Sequence, residues 1–191
     1  MSVHPIVCHP EAVIRSADPE RDASAVAAIY APYVTDAVAS FELTPPDAAY
    51  FARKIEALER THAFLVCERD GRVAGYAYSS AHREREAYRW TVEVSVYVDA
   101  AFHRQGVGRE LYAELLRRVR ARGYRVALAG VTLPNPGSVG LHESFGFEPI
   151  GVYRGVGWKH GGWRDVGWWQ LQLAPQDEHD GTPPPAEPIT A

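Results

Sequence analysis

Apolar residues recur along the chain in two alternating rhythms, one of strands and one of helices. "AVIRSA" (residues 12 to 17) reads as a short first strand. "DPERDASAVAAIYAPYVTDA" follows with Asp18 as a cap, Pro19 at the first helical position and apolar residues at helical spacing. "FELTPPD" breaks that pattern, and "DAAYFARKIEALERT" resumes it with Phe51, Ile55 and Leu58 on one face. "AFLVCERDGRVAGYAYSS" is two β-rich runs joined by Asp70-Gly71, a strong hairpin signal, and "WTVEVSVYV" continues as a strand. A helix from about 106 to 122 buries Leu111, Leu115, Leu116 and Val119 and stops at Gly123. "YRVALAGVTL" is apolar enough for a buried parallel strand, so the strand-helix-strand order across 90 to 131 predicts a right-handed crossover. "NPGSVGLHESFGF" predicts a short helix closed by Gly146, and "EPIGVYRGVGWKHGGWRDVGWWQLQL" two final strands around a Gly-rich turn. The resulting order, β-α-α-β-β-β-α-β-α-β-β, is that of one mixed α/β domain.

Length and composition narrow this picture. With 191 residues, 46% hydrophobic and 23% charged, the chain suits one soluble domain with a sizeable core. No run approaches a membrane span, and "MSVHPIVCHPEAV" lacks the basic-then-apolar order of a signal peptide, so the cytoplasm is the expected compartment. Two cysteines, Cys8 and Cys67, suggest neither a disulfide framework nor a metal site. The net charge of −4 lies in the Pro-rich tail "APQDEHDGTPPPAEPITA", which carries four acids and no Lys or Arg; the remainder is neutral, with 20 basic and 20 acidic residues. Lacking a basic stripe, the chain is not expected to bind nucleic acid. The expected organisation is a leader over 1–12, a domain over 13–173 and a disordered tail over 174–191.

Four places can carry chemistry. Gly106 and Gly108 stand where a strand gives way to a helix; glycine permits close approach, and a helix N-terminus offers free N–H groups to an anion, although such a pair can equally serve only to turn the chain. Glu93 lies inside "WTVEVSVYV", either on a solvated face or in a cleft where desolvation makes a carboxylate a better base. His142 follows Asn135 by seven residues and could be an ordinary hydrogen-bonded histidine. Arg83, Arg85 and Tyr88 in "HREREAYRW" form a loop that is either simply solvated or able to hold a carboxylate. The chain has no P-loop, no G-x-G-x-x-G after the first strand, no H-E-x-x-H and no G-x-S-x-G.

Together, "VSVYV", "HRQGVG" and "LPNPGSVGLHESFGF" resemble the GCN5-related N-acetyltransferase (GNAT) superfamily, whose turn has the form Q/R-x-x-G-x-G/A. "SFELTPP", "REREAYRWTVE", "HESFGF" and "KHGGWRDVGWWQL" are similar to its phosphinothricin N-acetyltransferase branch, which acetylates the amino group of phosphinothricin and analogues such as methionine sulfoximine. The resemblance spans Ile14 to Leu173. It implies a mixed, mostly antiparallel sheet with helices on both faces, acetyl-CoA as co-substrate, no metal, a small amine substrate bearing a carboxylate, and a homodimer. Carried over by position, Glu93 is the general base and His142 protonates the leaving thiolate or orients a water. Val96, Tyr97 and Val98 offer backbone groups to the pantetheine arm and thioester. His103, Arg104, Gln105, Gly106, Val107, Gly108 and Arg109 surround the pyrophosphate, with Asn135 and Ser138 further along the coenzyme. Phe41, Arg83, Arg85 and Tyr88 match the amino-acid pocket. Two positions depart from the pattern: His103 replaces Gln or Arg, and Arg83 stands where the branch often has lysine. Another amine, such as a peptide N-terminus or polyamine, and a non-catalytic acyl-CoA-binding module remain the alternatives.

Overall fold

The computed structural model describes residues 12–174. The expected leader, tail and Cys8 therefore lie largely or wholly outside the described residues. The elements are β1 (Val13–Ser16), α1 (Pro19–Thr35), α2 (Ala48–Glu59), β2 (Phe64–Arg69), β3 (Arg72–Ala81), β4 (Thr91–Val98), α3 (Val107–Ala121), β5 (Val126–Leu133), α4 (Pro136–Ser144), β6 (Glu148–Lys159) and β7 (Gly162–Gln172). Their order is the one that the hydrophobic pattern predicts. Two three-residue 3₁₀ turns, Glu86–Tyr88 and Ala100–Phe102, are additional, and both are too short to leave a periodic trace.

The seven strands form one sheet in the order β1-β2-β3-β4-β5-β7-β6. Only β4 and β5 run parallel, as the crossover through α3 requires. The apolar run in β2 shows how both faces are covered. Phe64 and Val66 pack with Val26, Ile29, Phe51 and Ile55 of α1 and α2. Leu65 and Cys67 point the other way, into a core with Leu111, Leu115 and Val119 of α3. A strand buried on both sides loses its polar alternation, as "FLVC" does. Cys67 is a buried free thiol whose pKa is pushed up by that burial. Among the described residues no helix is long and apolar enough to cross a membrane.

Candidate active site

The site begins where the parallel pair comes apart. Strands β4 and β5 pair only over Thr91–Glu93 and Val126–Leu128, while β4 stays paired with β3 as far as Val98. Asp99 N–H donates to Ala74 O, so the odd-numbered peptides of β4 bond into β3 and the even-numbered ones face β5. Beyond Glu93, Val96 and Val98 thus turn their peptide groups into a gap with no strand opposite. The peptide of Tyr97 faces β3, and its ring packs with Tyr30, Tyr33 and Tyr76 on the α1 side of the sheet. A hollow of about 530 Å³ opens here and meets a second of about 570 Å³, with Val94, Ser95, Tyr97 and Thr132 among their shared walls.

Helix α3 delivers its N-terminus to the first hollow. In α1, α2 and α4 a side chain closes the first turn: Asp18 accepts from Glu20 and Arg21 N–H, Asp47 from Tyr50 N–H, and Asn135 from Ser138 N–H. The α3 cap is Gly106, which has no side chain to do so. Its φ of 88° is left-handed, which glycine adopts without penalty. Arg104 is also left-handed, at 61°, a strain typical of ligand-binding turns. Arg69 braces the turn through Gln105 O at 2.9 Å and Glu110 at 2.8 Å. His103, Arg104, Gly106, Val107, Gly108 and Arg109 all line the hollow, whereas the Gln105 side chain turns back to Ala101 O. Unpaired N–H groups and the positive helix end suit a phosphate, and the strand gap suits an extended amide-bearing arm. The departure at His103 has a local use: its Nε2 lies 3.0 Å from Val98 O and 3.2 Å from Tyr33 Oη. Tyr33 Oη in turn donates to Val98 O and accepts from Val98 N–H. Tyr33 carries no motif signal; only the fold brings α1 across the end of β4.

Glu93 lines the second hollow at the apex of the gap, together with Phe41, Tyr30 and Trp168. It is paired with His82, whose Nδ1 lies 2.8 Å from Oε1. Sequence reasoning missed His82, although it opens the very loop that holds Arg83. Phe41 is held from behind, since its ring rests on Gly157, where any Cβ would collide with it. Beside it the buried Lys159 Nζ donates to Glu42 O. Arg83, Arg85 and Tyr88 are exposed on the turn between β3 and β4 and line neither hollow. Tyr88 reaches the site only through the edge of its ring on His82.

On the opposite wall, α4 presents Asn135, Ser138 and His142 to the first hollow. His142 is buried between the rings of Tyr112 and Phe147, and its Nδ1 lies 2.6 Å from Ser138 O. A carbonyl can only accept, so the ring proton sits on Nδ1. Burial pushes the imidazole pKa down against the raising effect of that bond, which favours the neutral ring with an unprotonated Nε2. Such a ring accepts a hydrogen bond at Nε2 and has no proton there to give. Among the described residues no cluster of three or more His, Cys, Asp or Glu could hold a metal.

Comparison with known proteins agrees with this geometry. The profile of the acetyltransferase (GNAT) family matches residues 26–147. The phosphinothricin N-acetyltransferase of Streptomyces viridochromogenes is 38% identical over 169 residues, covering 88% of this chain and 90% of that protein. The L-methionine sulfoximine/L-methionine sulfone acetyltransferase of Pseudomonas paraeruginosa is 36% identical over 156 residues, 81% of this chain and 91% of its own. A GNAT superfamily phosphinothricin acetyltransferase from Sinorhizobium meliloti, solved in complex with acetyl-CoA, superposes with a TM-score of 0.84 at 35% identity, covering 90% of this chain and 93% of that one. With a matching profile over most of its length and relatives well above 30% identity along nearly all of it, this chain belongs to the acetyltransferase (GNAT) family.

Proposed function

We propose that this protein transfers the acetyl group of acetyl-CoA to the amino group of a small amino-acid-like substrate of the phosphinothricin or methionine sulfoximine type. The observation that carries this reading is the continuous passage from the uncapped N-terminus of α3, along the unpaired edge of β4, to the carboxylate of Glu93. Acetyl-CoA supplies an activated thioester; the chain must hold it and prepare the amine. The first turn of α3 would take the pyrophosphate, with Arg104 and Arg109 beside it. The Val96 peptide would take the arm, with Val98 joining only if the arm displaces Tyr33 from it, and a preorganised N–H there, aimed at the acetyl oxygen, is worth about 3 kcal/mol. Glu93 would remove a proton from the ammonium, directly or through water, leaving a lone pair to attack the thioester. His142 would accept a hydrogen bond from an ordered water near the leaving sulfur rather than donate a proton. Arg83 and Arg85, exposed on the turn that His82 opens, would have to swing in from outside both hollows to meet the substrate carboxylate.

A homodimer is part of the same proposal. Strand β6 ends the sheet, and its hairpin with β7 exposes Ile150, Val156, Trp158 and Trp163. Bare apolar edges of this kind are otherwise an aggregation hazard.

The function is tested by free-thiol release from acetyl-CoA with a panel of amines. Phosphinothricin, methionine sulfoximine and methionine sulfone are expected to turn over, and a peptide N-terminus and a polyamine to lag far behind. Turnover confined to the last two would overturn the substrate class, and no release with any amine would favour a silent acyl-CoA-binding module.

A further inference from the structure

His82 is the first residue beyond β3. The β3–β4 register, with Ser80 opposite Glu93 and Ala81 opposite Val92, carries it back alongside the base. Its side chain is 14% exposed against 35% for Glu93, so the imidazole is the buried member of the pair. The ring is held edge-on by Tyr88 at 5.5 Å and by Trp168 at 6.2 Å. A carboxylate only accepts, so the bond from His82 requires a proton on Nδ1. This fixes Oε1 and leaves Oε2 as the oxygen for a substrate amine.

We propose that His82 is the positioning residue of the base: its Nδ1–H aims the Glu93 carboxylate at the amine, and a second proton on the ring switches the base off. The proposal rests on Glu93 being the general base. With a neutral ring, Glu93 receives one hydrogen bond and faces no added positive charge. A proton on Nε2 converts the bond into an ion pair, and a carboxylate facing a cation accepts a proton less readily. Histidine is the side chain that ordinarily changes charge between about pH 5 and 8. Among the described residues, the rings packed on it are Tyr88 from the 3₁₀ turn and the unionisable Trp168 from β7, and Arg83 is next in the chain. No bond to His82 is made or broken during transfer. One ammonium proton goes to Glu93, the nitrogen lone pair goes to the thioester carbon, and as the C–S bond breaks the departing thiolate takes up the second proton that the acylated nitrogen releases.

Two variants separate aim from switch. His82→Asn keeps an N–H donor close to the position of Nδ1 but cannot charge; His82→Leu removes both functions. With acetyl-CoA and the best amine of the panel, His82→Leu is expected to lose about tenfold or more in kcat with an unchanged KM for acetyl-CoA. His82→Asn is expected to stay within about threefold of the parent near pH 8, while the acid limb of kcat/KM moves down by about one pH unit or more. A His82→Asn profile with the parent's acid limb would overturn the switch, and His82→Leu with the parent's kcat would overturn the aim. If His82→Leu does not fold, His82→Phe, which keeps a ring between Tyr88 and Trp168 but has no N–H, takes its place in the test of aim. Glu93→Gln measured alongside keeps the two readings apart: undiminished turnover there removes the base itself, whatever the His82 variants show.

Discussion

Glu93 and His142 are both polar residues set among apolar ones, yet their surroundings differ. Glu93 stands partly exposed at the apex of the gap, bonded to one imidazole. His142 is enclosed by aromatic rings and a carbonyl, in an environment that keeps it neutral. Replacing Glu93 by Gln preserves shape and an acceptor for His82 but removes the proton acceptor. A kcat loss of about 10²–10⁴ is expected, with near-normal acetyl-CoA binding and partial recovery as rising pH supplies free amine. Parent-like kcat across the pH range would take Glu93 out of the mechanism. At this scale the sequence was informative wherever residue type clashed with context: a lone carboxylate in "WTVEVSVYV" stands out, while a histidine in the charged loop "HREREAYRW" does not. Nothing local marks His82, because its partner is eleven residues away on another strand.

The critical element is the start of α3. A Cβ at Gly108 would meet Val98 Cγ2 at 3.5 Å and Leu141 Cδ2 at 3.8 Å, both ordinary contacts, and alanine favours a helix over glycine by roughly 0.5–1 kcal/mol. Gly108→Ala should therefore melt no lower than the parent. Its acetyl-CoA Kd should nonetheless rise about tenfold or more, or ~1.4 kcal/mol, because the methyl group enters the space the phosphates need. Calorimetry with an unchanged Kd in this variant would place the phosphates elsewhere. The helices and strands were legible because apolar spacing and caps are local properties. The G-x-G turn was legible as a possible anion site, but its distinction from a plain turn needed the contrast with three helices closed by their own side chains.

For the whole molecule the exposed β6–β7 hairpin makes the assembly testable. Trp163 is 68% exposed, so Trp163→Asp leaves the core intact. By light scattering it is expected to shift a dimeric parent toward the monomer, and a parent that is already monomeric would remove the proposed interface. The motif "KHGGWRDVGWWQL" announces a hairpin rich in tryptophan, but whether each ring faces core or solvent follows from pairing. Trp169 is buried on the α3 side of the sheet, Trp168 lines the second hollow, and Trp163 is left outside. Element order, class and family were thus already written in the chain, since periodicity, capping and turn chemistry act between near neighbours. The parting of β4 from β5 after three residue pairs, the closure of Val98 by Tyr33, the His82–Glu93 pair and the exposed setting of Arg83 and Arg85 were decided by tertiary structure. Each depends on register between strands or on a helix crossing a sheet, and such contacts join residues whose separation along the chain carries no signal of their meeting.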